Sequence, residues 1–253
     1  MTPNAASVAR RSVTLLAFCA LLLPAPARAS SFSLSPMRVS LSPSATSVIV
    51  TVKNETEQEL RLQLTVFGWS QSEAGEMNLS PTEDILLFPN LVTLKGGEER
   101  RIRVGTSATF GDTERAYRLF IEELPSAAAQ PAASMVTMRT KVGIPVFLEA
   151  AKAAGAAELQ ELAVSGGSAS MRLKNTGNVH VIVDRATFRG LDASGQTVFE
   201  HTQNGWYVLP GESRVFEQAL GADCSKAVKV VGEVAGHGRV LATEVAVTAG
   251  ACR

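Results

Sequence analysis

The sequence predicts an all-β protein with two sandwich domains in tandem. Short segments such as SVIVTVKN and LRLQLTVFGW alternate apolar with polar residues, and a period of two is typical of half-buried strands. No stretch of the first half keeps the 3.6-residue period of a helix. The layout of strands and turns in the first half returns in the second, which favours two copies of one all-β unit.

The repeat is clearest at two motifs. Lys53-Asn54, at the end of one alternating segment, corresponds to Lys174-Asn175, and the turn residues Gly97-Glu98 correspond to Gly211-Glu212. The two offsets are similar, so each copy takes roughly 100 residues, the size of a small sandwich.

Two further segments carry definite expectations. Leu91 to Val104 (LVTLKGGEERRIRV) is predicted to be a hairpin, because an apolar strand and an alternating strand flank a Gly-Gly turn. Met135 to Glu149 (MVTMRTKVGIPVFLE) alternates over more positions than an average strand. Because of this length, we predict that the strand has a function in addition to packing in the core of its domain.

The first 29 residues are expected to be a signal peptide. Arg10 and Arg11 precede an apolar run, and Ala27–Ala29 has the A-x-A pattern of a cleavage site. Without this segment the acidic residues outnumber the basic ones by about three, which gives no reason to expect nucleic acid as a partner. No segment has the roughly 18 consecutive apolar residues of a membrane span.

Cysteine and histidine usage narrows the chemistry. Beyond Cys19 of the leader, Cys224 and Cys252 form an even pair, which in an exported chain favours a disulfide over two free thiols. His180, His201 and His237 show no metal-ligand spacing, and His180 is expected to be a surface strand residue. No nucleophile or phosphate motif is present, so we predict no catalytic residues, metal or cofactor.

The remaining candidates are basic residues in segments that otherwise alternate or are apolar. Arg38 is expected within a short strand, Arg118 interrupts AYRLFI, and Lys141 lies in the long segment. Each is either part of a solvated face or part of a binding site, and the residues alone leave both interpretations open.

The order of several motifs resembles the periplasmic chaperones of chaperone–usher pilus assembly. The motifs are VTVKN, then FPNLVTLKGGEERRIRV with Leu94, Gly97, Ile102 and Arg103, then ERAYRLFIEELP with Glu114, Tyr117, Glu123 and Pro125, and finally the long segment. The resemblance covers nearly all of the chain after the leader and favours the archaic branch of the family.

The resemblance implies two immunoglobulin-like domains, at residues 30–149 and 150–253, set at an angle with a cleft between them. Such chaperones lend an edge strand to pilus subunits that lack one, and deliver them to an outer-membrane usher. The donor residues would be Val136, Met138 and Thr140. Arg38 would hold the carboxylate at the subunit's C-terminus. The second cation of the family maps to Gly143, so Lys141 or Arg118 would replace it.

The resemblance also implies a non-enzymatic periplasmic protein that is not inserted in a membrane, whose free form is a monomer or a dimer that covers its own edge. The alternative is an exported two-domain structural or adhesive protein. Against it, we expect no N-terminal donor extension after the leader, because the first sandwich is predicted to begin close to Ser31.

Overall fold

The computed structural model describes residues 32–125, 139–236 and 238–252. The expected leader, the proposed donor residues Val136 and Met138, and His237 lie outside these residues. Within the described ranges, no helix is both long and apolar enough to cross a bilayer.

Among the described residues, the N-terminal sandwich has ten strands: β1 (Phe32–Ser35), β2 (Val39–Leu41), β3 (Ser47–Asn54), β4 (Leu60–Gln71), β5 (Met77–Pro81), β6 (Ile85–Phe88), β7 (Leu91–Leu94), β8 (Glu99–Thr106), β9 (Arg115–Glu123) and β10 (Lys141–Leu148). One sheet has the order β1-β3-β8-β6, and the other has the order β2-β10-β9-β4-β5, with β7 also paired to β4. Inward residues of both sheets, such as Val50, Leu62, Ile102 and Leu119, are fully buried and form one apolar core.

The described part of the C-terminal sandwich has nine strands: β11 (Ala157–Ser165), β12 (Ser168–Asn175), β13 (Val181–Ile182), β14 (Arg185–Leu191), β15 (Thr197–Asn204), β16 (Tyr207–Val208), β17 (Ser213–Ala219), β18 (Lys229–Gly236) and β19 (Arg239–Ala246). Their sheets have the orders β11-β12-β17, β13-β16 and β15-β14-β18-β19. A short 3-10 helix, Ala222–Lys226, carries Cys224, which forms a disulfide with Cys252. The all-β prediction with two sandwiches is confirmed.

Two buried asparagines repeat the same local structure in both sandwiches. Asn54 Nδ2 donates to the Leu94 carbonyl at 3.2 Å, and Asn175 Nδ2 donates to the Val208 carbonyl at 2.9 Å. Each side chain thereby ties the end of one strand to a second strand, β3 to β7 and β12 to β16. Because a buried amide needs such partners, the Lys-Asn motif marks equivalent positions of the repeat.

The predicted hairpin from Leu91 to Val104 is wrong. The turn is present, with Gly97 at φ 72°, but β7 pairs with β4 in one sheet while β8 pairs with β3 and β6 in the other. The chain therefore crosses from one layer of the sandwich to the other at Gly96-Gly97. A Gly-Gly turn is compatible with a hairpin within one sheet and with a crossover between the two sheets, so the local sequence does not distinguish these connections.

The expectations for two other segments also need correction. Arg38 lies in a bend directly before β2, not within a strand. In the long alternating segment, the described strand β10 begins only at Lys141, although Thr140 extends its pairing, because the Glu123 N–H donates to the Thr140 carbonyl at 2.9 Å.

Candidate functional site

Two of the candidate cations lie in one row that crosses β9, β10 and the bend directly before β2. Arg118 of β9 is directly opposite Pro145 of β10. Val39, which begins β2, pairs with Val146, so the register places Arg38 beside Pro145 on its other side. Core residues alternate with these positions, hence the row belongs to the face of the sheet that points away from the core. Arg38 is exposed there, whereas Arg118 is only 4% exposed.

Arg118 is buried against both tryptophans of the sequence. Its Cζ atom lies 4.6 Å from the ring centroid of Trp69 and 5.0 Å from that of Trp206. The two centroids are 6.5 Å apart, so the rings cover adjacent rather than opposite sides of the guanidinium. Contacts of a cation with indole faces are attractive and strengthen when water is removed.

The Arg118 guanidinium makes no hydrogen bond or ion pair with any residue that the structure describes, and its Nε atom is buried without an acceptor. Burial lowers the pKa of Arg118, an effect that Tyr207 partly offsets. Since a buried guanidinium ordinarily has an anionic or carbonyl partner, this arginine has the properties of one half of a site whose other half comes from a ligand.

Lys141, the third candidate cation, has a partner. Its Nζ atom lies 2.9 Å from a carboxylate oxygen of Glu122 and 5.1 Å from the ring centroid of Phe120. That ring also covers Gly143, where a Cβ would come within 2.8 Å of the Phe120 Cε1 atom. Phe120 therefore occupies the space that a side chain at residue 143 would need. Exposed ion pairs such as Lys141–Glu122 contribute little to stability. Lys141 can therefore exchange Glu122 for an anion that it binds more tightly.

Next to these cations, strand β10 has an open edge. It pairs with β9 along its whole length, but on its other side β2 pairs only with Val146, Phe147 and Leu148. Within the described ranges, the edge from Lys141 to Pro145 has no neighbouring strand. An unpaired edge presents backbone donors and acceptors to any extended chain laid beside it.

The C-terminal sandwich packs against the same face. Trp69, Ala116, Phe147 and Leu209 form an apolar cluster between the two sandwiches, with Tyr207 packed on it. Buried Gln71 adds hydrogen bonds across this contact: its Nε2 donates to the Tyr207 carbonyl at 2.9 Å, and its Oε1 accepts from the Leu209 N–H at 3.0 Å. Trp206 is thereby held beside Arg118.

His180 is not the surface strand residue that the sequence predicts. It lies just before β13, stacks on Phe147 at 4.0 Å between ring centroids, and its Nδ1 lies 2.8 Å from the buried carboxylate of Glu114. Glu114 also accepts the backbone N–H of His180 at 3.0 Å. The pair connects the sandwiches, and the alternating pattern of NVHVIV gives no sign of this contact.

Sequence reasoning also missed both tryptophans and Gln71 as parts of the site. Trp69 looks like an ordinary aromatic strand residue, and Trp206 follows a glycine in a loop. A large aromatic ring beside a buried cation would indicate a site, but the sequence does not show that these rings and Arg118 meet. The described residues contain no group of three His, Cys, Asp or Glu side chains placed to hold a metal ion.

A family model identifies the N-terminal sandwich. Residues 31–153 match the N-terminal domain of the pili and flagellar-assembly chaperones, and this range contains β1 to β10, with Arg118 and the open edge. The N-terminal sandwich is therefore a domain of the pilus-chaperone family. Members of the family are binding proteins rather than enzymes, and those of the chaperone–usher pathway work in the periplasm.

Solved structures of pilus chaperones have a similar fold over both sandwiches. The chaperone–tip adhesion subunit complex CsuC–CsuE, from archaic Csu pili of Acinetobacter baumannii, matches with a TM-score of 0.58 at 20% identity, over 85% of this chain and 98% of that one. The YadV chaperone matches with a TM-score of 0.56 at 16% identity, over 86% and 100%.

A third match includes a pilin. The Salmonella enterica complex of the SafA pilin with the SafB chaperone matches with a TM-score of 0.55 at 14% identity, covering 89% of this chain and 100% of the other. At these identities the likeness concerns the fold of the pilus chaperones. No curated protein sequence matches the chain at a significant level.

Proposed function

We propose that the protein is a periplasmic, non-enzymatic chaperone that captures pilus subunits by strand donation and delivers them to an outer-membrane usher. The observation that carries the proposal is the open edge of β10 beside the exposed Arg38 and beside Arg118, whose guanidinium has no partner among the described residues. An extended segment can pair with the edge while its terminal carboxylate meets the guanidinium groups. Residues 1–29 would be removed on export, leaving domains at residues 30–149 and 150–253.

The donated strand would be β10 together with the residues before it. Val136, Met138 and Thr140 have the parity of Val142 and Ile144, whose side chains pack on or in the core of the N-terminal sandwich. Before β10 the same parity would supply apolar side chains to a subunit that lacks a strand. Methionine suits a groove that differs between related partners, because its side chain is flexible.

Arg118 and Arg38 would form the anchor for the subunit's carboxylate, with Lys141 in a lesser role. Arg118 is already dehydrated, so a carboxylate that reaches it gains a strong charge-assisted hydrogen bond without a further cost of removing water from the arginine. Arg38 adds a flexible cation on the other side of Pro145. Lys141 must leave Glu122 to contribute.

Coexpression with an exported pilus subunit of the organism of origin tests the anchor. The wild-type protein should be recovered with the subunit in a stable one-to-one complex. We expect Arg118→Ala to reduce recovery most, Arg38→Ala to reduce it less, and Lys141→Ala to reduce it least. Undiminished recovery with all three substituted would overturn the anchor. No complex with the wild type would overturn the chaperone function.

A second experiment tests the donated strand. Val136→Asp combined with Met138→Asp should abolish recovery, because a charged side chain cannot enter an apolar groove. Val240→Asp is the matched control, since Val240 is 61% exposed on β19 of the other sandwich. Equal recovery with the double variant and the control would place the donor segment elsewhere. Size-exclusion chromatography of the free protein distinguishes a monomer from a self-capped dimer.

A further inference from the structure

The two tryptophans that contact Arg118 come from different sandwiches. Trp69, on β4, is 6% exposed, and its position is fixed by packing against Phe147 and Tyr207. Trp206 lies in the connection between β15 and β16 and is 42% exposed. The first ring is therefore part of a packed cluster, whereas the second covers Arg118 from the solvent side.

The backbone around Trp206 is held on both sides. Its carbonyl accepts the Val183 N–H at 2.8 Å, within the C-terminal sandwich. The next carbonyl, of Tyr207, accepts from Gln71 of the N-terminal sandwich. Trp206 thus has a defined place beside Arg118 only while the two sandwiches are in contact.

The indole cover has a physical consequence for an anion that approaches Arg118. Removing water lowers the local dielectric, which strengthens a guanidinium–carboxylate interaction relative to the same pair in solvent. Two rings on adjacent sides do not enclose the guanidinium, whose N–H groups donate in its own plane. The arrangement suits a planar carboxylate that arrives edge-on.

We propose that Trp206 is a positioning residue of the carboxylate site. It keeps the Arg118 guanidinium dehydrated and directed into the cleft, so that a chain-terminal carboxylate is preferred over a neutral terminus. Recognition of the terminus then depends on the C-terminal sandwich as well as on the strand that donates. This inference rests on the proposed function and names the chemistry that the site selects.

The test compares two synthetic peptides with the sequence of the captured subunit's C-terminal strand, one ending in a carboxylate and one in an amide. Dye-labelled peptides are titrated with the full-length protein, and fluorescence anisotropy gives both affinities. The wild type should bind the carboxylate form about tenfold more tightly, the scale of one charge-assisted hydrogen bond. In Trp206→Ala the preference should fall to about twofold, with little change in the affinity for the amide.

Two further variants separate positioning from general damage. Trp206→Phe keeps an aromatic face and should keep most of the preference, whereas Val240→Ala, at an exposed site of the same sandwich, should match the wild type. A Trp206→Ala protein that prefers the carboxylate as strongly as the wild type overturns the inference. Failure of the proposed function has a different signature, because the wild type would then bind neither peptide.

Discussion

The phenyl ring of Phe120 lies against the backbone of Gly143, so that a Cβ at residue 143 would come within 2.8 Å of the Phe120 Cε1 atom. The ring in turn contacts Phe67 edge-to-face, with centroids 6.1 Å apart, and lies beneath the ammonium group of Lys141. Glycine at residue 143 is therefore required by its neighbour on β9. The lysine that the family resemblance places at this position would meet the same ring, which is why the proposed anchor uses cations at other positions.

Gly143→Ala should destabilise the protein. Alanine normally suits a strand better than glycine, but here the added methyl group meets the Phe120 ring, and overpacking of this kind costs about 1 to 3 kcal/mol. Urea unfolding measures the change. The control is Gly111→Ala, where the new Cβ has nothing within 4 Å and the effect should stay within about 0.5 kcal/mol. Equal stability of the two variants would show that the ring moves aside freely.

Arg118→Met should raise stability while weakening subunit capture. The buried guanidinium has no anionic partner among the described residues, so an apolar side chain of similar length removes an unfavourable charge. It also loses the contacts with two indole rings, worth about 0.5 to 2 kcal/mol. We expect a net gain of about 1 kcal/mol or more in the free energy of unfolding. Urea unfolding and coexpression with the subunit measure the two effects. A variant that is less stable and captures normally would contradict the assignment of Arg118 as a ligand site.

The repeat and the strand pattern were predictable because they depend on local chemistry. Asn54 and Asn175 are each the last residue of an alternating strand, and their buried amides need the same backbone partners wherever the unit occurs. The crossing from one sheet to the other at Gly96-Gly97 was not predictable. Alternating apolar and polar residues indicate which face of a strand is buried, but not which strand lies beside it.

The candidate site was predictable only in part. Arg118 and Arg38 are conspicuous as basic residues among apolar ones, and the family resemblance supplied a reason for them. The environment of Arg118 depends on Trp69 and Trp206, which meet only when both sandwiches have folded and docked. Gln71 holds that docking through backbone groups of Tyr207 and Leu209, and a backbone partner leaves no mark in the sequence.

Gln71→Ala should loosen the contact between the sandwiches. The variant loses two hydrogen bonds and leaves the N–H of Leu209 buried without its acceptor, at a cost of about 1 to 3 kcal/mol. Because both tryptophans lie at this contact, their fluorescence emission should shift toward longer wavelength as water enters. Gln63→Ala is the matched control, since Gln63 is an exposed glutamine of the same strand. Identical emission spectra for the two variants would show that Gln71 does not hold the sandwiches together.

The Cys224–Cys252 disulfide should stabilise the C-terminal sandwich specifically. It closes a loop with a sequence separation of 28 and ties the end of the chain to the 3-10 helix, whose Cys224 is buried. The Ala251 carbonyl also accepts the Gly167 N–H of the β11–β12 turn, at 2.9 Å, so the bridge holds this segment against the sandwich. On the chain-entropy model a bridge of this span contributes about 3 to 4 kcal/mol.

Urea unfolding with and without a thiol reductant measures this contribution. Reductant should lower the unfolding midpoint of the wild type, because the unfolded chain regains the freedom that the bridge removes. A Cys224→Ala, Cys252→Ala variant should unfold at the lower midpoint under both conditions, which controls for effects of the reductant itself. If thiol titration shows both cysteines reduced in the wild type while its midpoint is unchanged, the bridge does not stabilise the sandwich. The packing of Cys224 and Cys252 with their apolar neighbours would then suffice to hold the chain end.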